Sequence, residues 1–266
     1  DNATALATYG EINTWDVSLI TDMSGLFDQK STFNDNVSFW NVSNVTNMSH
    51  MFSRTSFNQD ISSWDVSNVT NMQAMFWDSY WFNIDLSNWN VSNVTNMQDL
   101  FTGTKFNQDI SGWDVSNVTN MVKIFYITPD FNQDISSWDV SSATNMNRMF
   151  ANAQSFNQDI SSWDVSSVTN MEHVFYNTDL SEDNQCAIHT SFSSNGNWPY
   201  DWSGLCAVLG CIDINACNYN IDATDDDGSC TFAEANFDCS GNCIATIDCV
   251  GECGGDTVED ECGVCE

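Results

Sequence analysis

Tryptophan returns along this chain at an almost fixed interval. Trp15, Trp40, Trp64, Trp89, Trp113, Trp138 and Trp163 are separated by 25, 24, 25, 24, 25 and 25 residues. Each return brings the same neighbours. Counted from the tryptophan, position +2 is Val in all seven copies (Val17 to Val165), +8 is Met (Met23 to Met171) and +12 is Phe (Phe27 to Phe175). Position −3 is Ile, Val or Leu, as in Ile61 and Leu86, and −7 is Phe in six copies, Phe33 to Phe156. Large apolar residues at fixed offsets are what stacked turns demand, because each core residue rests on its equivalents above and below. A period this short predicts a repeat solenoid of seven turns. All ten Met fall at +8 or +11, where packing accounts for them without a methionine metal box.

Within one turn, Ile61-x-x-Trp64-x-Val66 follows the L-x-x-L-x-L signature of leucine-rich repeats, whose last three residues form a short parallel strand. Alternation along that strand turns Trp64 and Val66 inward and Asp65 to solvent. Met72 to Phe76 space their apolar residues at i, i+3 and i+4, which predicts one helical or 3₁₀ turn on the outer side. The fold class expected is therefore leucine-rich-repeat-like: short parallel strands plus helical or 3₁₀ turns. The turn ISSWDVSNVTNMxxMF resembles the BspA-type leucine-rich repeat over roughly residues 9–180. That resemblance implies a secreted or cell-surface protein with an adhesive or interaction role.

Small polar residues repeat as strictly as the apolar ones. Ser stands at +3 and Thr at +6 in every turn, and +7 is Asn in six turns and Asp22 in the first. Such columns predict internal hydrogen-bonded ladders that satisfy corner backbone groups. A regular Thr face could bind ice instead, but the outward position of the predicted strand is Asp or Asn. Asp16, Asn41, Asp65, Asn90, Asp114, Asp139 and Asp164 form one column at +1, and Asp60, Asp85, Asp109, Asp134 and Asp159 another at −4. Either these carboxylates are solvated or accept backbone hydrogen bonds, or they bind calcium or a cationic partner. Nine Asn-x-Ser/Thr sequons occur, and the +4 set (Asn44, Asn68, Asn93 and Asn117), in the turn after the strand, is the one expected to carry glycans.

Composition divides the chain. Residues 1–185 contain no Cys and all five Lys and Arg, with 22 acidic residues, whereas 186–266 contain all eleven Cys, 15 acidic residues and no base. A net charge of −32 repels nucleic acid and anionic membrane. It suits divalent cations, high salt or a basic partner. No run approaches the ~20 apolar residues of a membrane span, so no membrane insertion is expected. The cysteine density points to an oxidising, extracellular compartment.

Three parts are expected: the solenoid over 1–180 with an N-terminal half repeat, a cap over 181–208, and a disulfide-rich, mostly irregular module over 209–266 that continues into further modules. The segment DLSEDNQCAIHTSFSSNGNWPYDWSGLC resembles the helical caps that end repeats of this class. That resemblance implies that Ile188, Phe192, Trp198 and Trp202 cover turn seven, with Cys186 bridged to Cys206. His189 is expected to be a packing residue. The tail resembles small Cys/Asp modules of secreted proteins, and a Cys211–Cys230 bridge is expected to close its acidic loop. Zinc is the rival at Cys262-x-x-Cys265. Asp222, Asp225, Asp226 and Asp227 are the expected calcium ligands, although the loop lacks the Gly and Glu of an EF-hand.

No Ser-His-Asp set, Cys-His pair or phosphate loop is present in the sequence, and no catalytic activity is expected. The function expected is a structural or adhesive module of a cell-surface assembly, whose partners are other extracellular proteins, further copies of itself or carbohydrate. The alternative is a receptor-like ectodomain with one discrete ligand. Turn three supplies the expected contact, because Trp77, Tyr80 and Trp81 stand where other turns carry Ser, Thr or Lys, with Tyr126 and Tyr176 in the Trp77 column. The competing arrangement folds Trp81 inward beside Phe82.

Overall fold

Every 24 or 25 residues the backbone comes back beside itself. In the computed structural model, which describes residues 7–259, parallel bridges join Asp22 to Asn47, and then Asn71, Asn96, Asn120, Asn145 and Asn170 in succession. The paired position is +7, not the predicted Trp64–Val66 strand. Trp64 and Val66 are buried and Asp65 is exposed, but the backbone there makes two successive turns. They are closed by Trp64 N–H to the Ile61 carbonyl at 3.1 Å and Val69 N–H to the Val66 carbonyl at 2.9 Å. Asp60 and Asp65 accept the N–H of Ser62 and Ser67 at 2.9 and 3.1 Å. An Asx turn of this kind takes a donor that a strand ladder would need.

The outer segment also departs from expectation. In each turn, positions +10 and +14 lie in the left-handed region, as at Ala74 and Asp78 (φ 54° each) and Gly103 (φ 73°). Alternate N–H groups close i to i−3 turns, such as Met75 to Met72 at 3.2 Å, while those between them leave the turn altogether. Met72, Ala74, Phe76 and Asp78 donate to the carbonyls of Asn96, Gln98, Leu100 and Thr102 at 3.0, 2.7, 3.1 and 2.8 Å. A continuous 3₁₀ helix would spend all its N–H groups on itself; the left-handed residues rotate every second one onto the next turn.

The core between these segments is a set of stacked columns. The +12 Phe packs face to face on the −7 Phe that follows it, with Phe52–Phe57 at 3.8 Å and Phe101–Phe106 at 3.9 Å. Phe76–Phe101 at 5.9 Å continues the stack between turns. Each fully buried ring of this size contributes about 1.5–3 kcal/mol by leaving water. The tryptophans form a second column and bond across it: Nε1 of Trp64, Trp89, Trp113, Trp138 and Trp163 donates to the carbonyl of the −3 residue in the preceding turn at 3.0–3.2 Å.

After turn seven the repeat gives way to a helix, α1 (Glu182–Phe192), capped by Ser181 and buried through Ile188 and Phe192. Trp198, Tyr200 and Trp202 lie 6.0–6.3 Å from the Phe175 ring. Polar groups complete the closure. The Tyr200 hydroxyl accepts the Phe175 N–H at 3.0 Å, and Asn195 Nδ2 donates to the carbonyls of Val165 and Val168 at 2.7 and 2.9 Å. His189 Nδ1 accepts from Trp198 Nε1 at 3.0 Å, which makes it part of this packing.

These elements belong to one compact unit, Asp1–Leu205; the second is Cys206–Glu266. The second has two short parallel strands, β1 (Leu209–Gly210) and β2 (Asp225–Asp226). It is held by the disulfides Cys211–Cys230, Cys217–Cys239 and Cys243–Cys253. Cys186, Cys206 and Cys249 are disulfide-bonded as well. Cys262 and Cys265, the zinc alternative, lie outside the described residues.

Candidate interaction face

All five Lys and Arg of the chain sit between positions +10 and +16 of a turn, on the segment that alternates between right- and left-handed residues: Lys30, Arg54, Lys105, Lys123 and Arg148. The exposed rings of turns three to seven project from the same segment and the loop that follows it. The Arg54 guanidinium lies 4.1 Å over the Trp77 ring, and the Lys105 and Lys123 ammonium groups lie 5.5 and 5.3 Å from the rings of Tyr80 and Tyr126. Tyr176 meets the His173 ring edge-on at 5.8 Å. Aspartates pair two of the cations, Arg54 with Asp78 at 3.9 Å and Lys105 with Asp130 at 3.2 Å. The segment from −6 to +8 holds the two Asp columns and no base.

Local anchoring explains why the turn-three rings point outward. Ser79 is fully buried, and its hydroxyl donates to the Phe52 carbonyl. Phe82 is fully buried, and the Tyr80 carbonyl accepts the Lys105 N–H at 2.9 Å. With both neighbours sunk in the core, Tyr80 and Trp81 are left 48% and 63% exposed. They meet edge to face at 4.9 Å and 82°. Trp81 therefore does not fold inward beside Phe82. Trp77 and Tyr126 are half-buried under their cations. Tyr126 and Tyr176 make no ring contact with Tyr80 or Trp81.

The other expected sites look different at atomic detail. The carboxylates at −4 and +1 accept hydrogen bonds from the serine two residues on. Asp85, Asp109, Asp134 and Asp164 are held below the ordinary aspartate pKa by the backbone N–H and then the hydroxyl of that serine. In Asp139 the Ser141 hydroxyl leads, at 2.6 Å. The Thr column does form a ladder, each hydroxyl donating to the preceding Thr carbonyl, as Thr70 to Thr46 at 3.2 Å. Yet these threonines are exposed, so the ladder lies on the surface and not inside. Asn44, Asn68, Asn93 and Asn117 spend Nδ2, the atom a glycan would occupy, on serine carbonyls of the preceding turn at 2.7–2.8 Å.

In the acidic loop of the second unit, Asp225 accepts from the Thr224 hydroxyl at 2.9 Å, and Asp226 and Asp227 accept the N–H of Gly228 and Ser229 at 3.0 and 2.8 Å. Asp222 lies in the same loop. Among the described residues no three His, Cys, Asp or Glu side chains are placed to hold a metal ion, these four included. No helix among them is long and apolar enough to cross a membrane. Disulfides in this number persist in an oxidising compartment.

Two exposed residues escaped the sequence reading. Phe39 (79% exposed) stands at −1, where later turns have Ser, Asn or Gly, and Leu19 (88%) stands at +4, where the next four have Asn. Comparing the polar columns as closely as the apolar ones would have found both. Comparison with curated proteins and with solved structures finds no match. Residues 1–106 and 103–191 match the family described as Mycoplasma protein of unknown function, DUF285. The chain, matched over most of its length, belongs to the DUF285 family.

Proposed function

We propose that the chain is a non-catalytic structural or adhesive module of an extracellular surface assembly. Residues 1–180 are read as a leucine-rich-repeat-like solenoid of the BspA type, in seven turns, and residues 181–208 as its cap. The Cys/Asp-rich residues 209–266 are read as an accessory module. Cross-turn bonds that recur at each period, and a core made of columns, support the solenoid reading. The adhesive reading rests on one observation: the cations and the exposed rings of turns three to seven share one segment, while the rest of each turn carries unbalanced carboxylates. Contact through the carboxylate side would bring like charges together; contact through the mixed side would not.

The partner is accordingly a component of the same surface, held chiefly by Trp77, Tyr80 and Trp81. Aromatic anchors of this kind, exposed at Tyr80 and Trp81 and half-buried at Trp77, carry a large share of contact energy. The test is attachment of cells of the producing organism to surfaces coated with the chain or with the Trp77→Ser/Tyr80→Ser variant. The variant is expected to keep its melting temperature and lose attachment; full attachment by a folded variant would refute the reading.

A further inference from the structure

The Tyr80–Trp81 corner has features that narrow its ligand. Its two rings stand at 82° to each other, which gives one open ring face and a perpendicular wall. Beside them lies the Lys105–Asp130 pair, 3.2 Å apart, with side chains 36% and 47% exposed. Two residues before Tyr80 in the chain, Asp78 pairs with Arg54. Each pair thus presents a donor and an acceptor but little net charge. The ligand that fits has an apolar face for the ring and hydroxyls for the paired side chains.

Charge and size exclude the main competitors. A polyanion approaching this corner meets the field of a chain carrying −32, and Lys105 and Arg54 already have carboxylate partners. A second copy brings the same charge. A stable protein interface buries roughly 800 Å² on each side, whereas the open apolar surface here is that of two rings among polar side chains. Resting on the adhesive reading above, we infer that the Tyr80–Trp81 corner binds a neutral glycan. A sugar ring lies with its C–H face on Trp81 and its edge against Tyr80, and its hydroxyls reach Lys105 and Asp130. The glycan is either a free polysaccharide or one carried by a glycoprotein.

The test uses the full 266-residue chain, titrated calorimetrically with a soluble β-glucan, a galactan and a mannan. Heparin serves as the anionic probe, and a high-mannose glycoprotein is tested before and after enzymatic removal of its glycans. Binding to at least one neutral probe is expected, weakened about tenfold or more by Trp81→Ala and unchanged by Phe39→Ser. Tyr80→Ser and Lys105→Gln serve the same purpose should Trp81→Ala fail to fold. Binding to a free polysaccharide, or only to the glycoprotein and lost on deglycosylation, supports the inference and identifies the source. Binding to heparin alone, to no neutral probe, or undiminished in the folded corner variants overturns it. In that case cell attachment that still depends on Trp77 and Tyr80 would leave the adhesive reading standing, whereas its absence would remove both.

Discussion

Ile127 shows at the scale of one residue what the outer segment costs. It is β-branched, sits at φ 53° and is 46% exposed, although the left-handed region penalises any Cβ and a branched one most. Gly103 holds the equivalent +14 position without that cost. A Cβ added there would collide with Asp78 Oδ1. Ile127→Asn is therefore expected to stabilise the first unit by about 1 kcal/mol, raising its melting temperature by roughly 2–4 °C. Gly103→Ala is expected to destabilise it by about 1–3 kcal/mol. Calorimetric unfolding measures both, and a neutral Gly103→Ala would contradict the backbone geometry. None of this was legible in sequence. The left-handed positions hold Gln, His, Arg, Ala, Asp, Lys, Ile and Asn as well as Gly, so only Gly25 and Gly103 advertised them.

At the scale of the element, the apolar columns were readable because packing leaves a strict period. Val at +2 and Met at +8 are buried in all seven turns. The backbone between them was not readable, since Trp64-Asp65-Val66 suits a strand and an Asx turn equally. Hydrogen bonding to the serine two residues on decides for the turn. These turns carry a pH signature. Their aspartates are titrated below the ordinary value when folded, so the stability they add is present above about pH 4 and is lost as pH falls through the lower folded values. Repulsion within a chain of −32 relaxes in the opposite sense as carboxylates protonate. The melting temperature is expected to peak in mildly acidic solution and to drop below about pH 4. A melting temperature that kept rising towards pH 2.5 would show that these turns contribute nothing.

For the whole molecule, the division of composition at the first cysteine was plain in the sequence. So was the outlying turn three. The grouping of every cation on one segment was equally available, as offsets from tryptophan, but it acquires meaning only when the rings under those cations are placed. Contact through this face leaves a footprint on it. Oxidative footprinting of the chain in its native surface assembly, against the isolated chain, tests it most directly. Protection of Trp77, Tyr80 and Trp81 is expected, with Phe39 and the carboxylate columns labelled as in the isolated chain. Protection at Phe39, Leu19 or the columns, with Trp81 and Tyr80 still fully labelled, would contradict it.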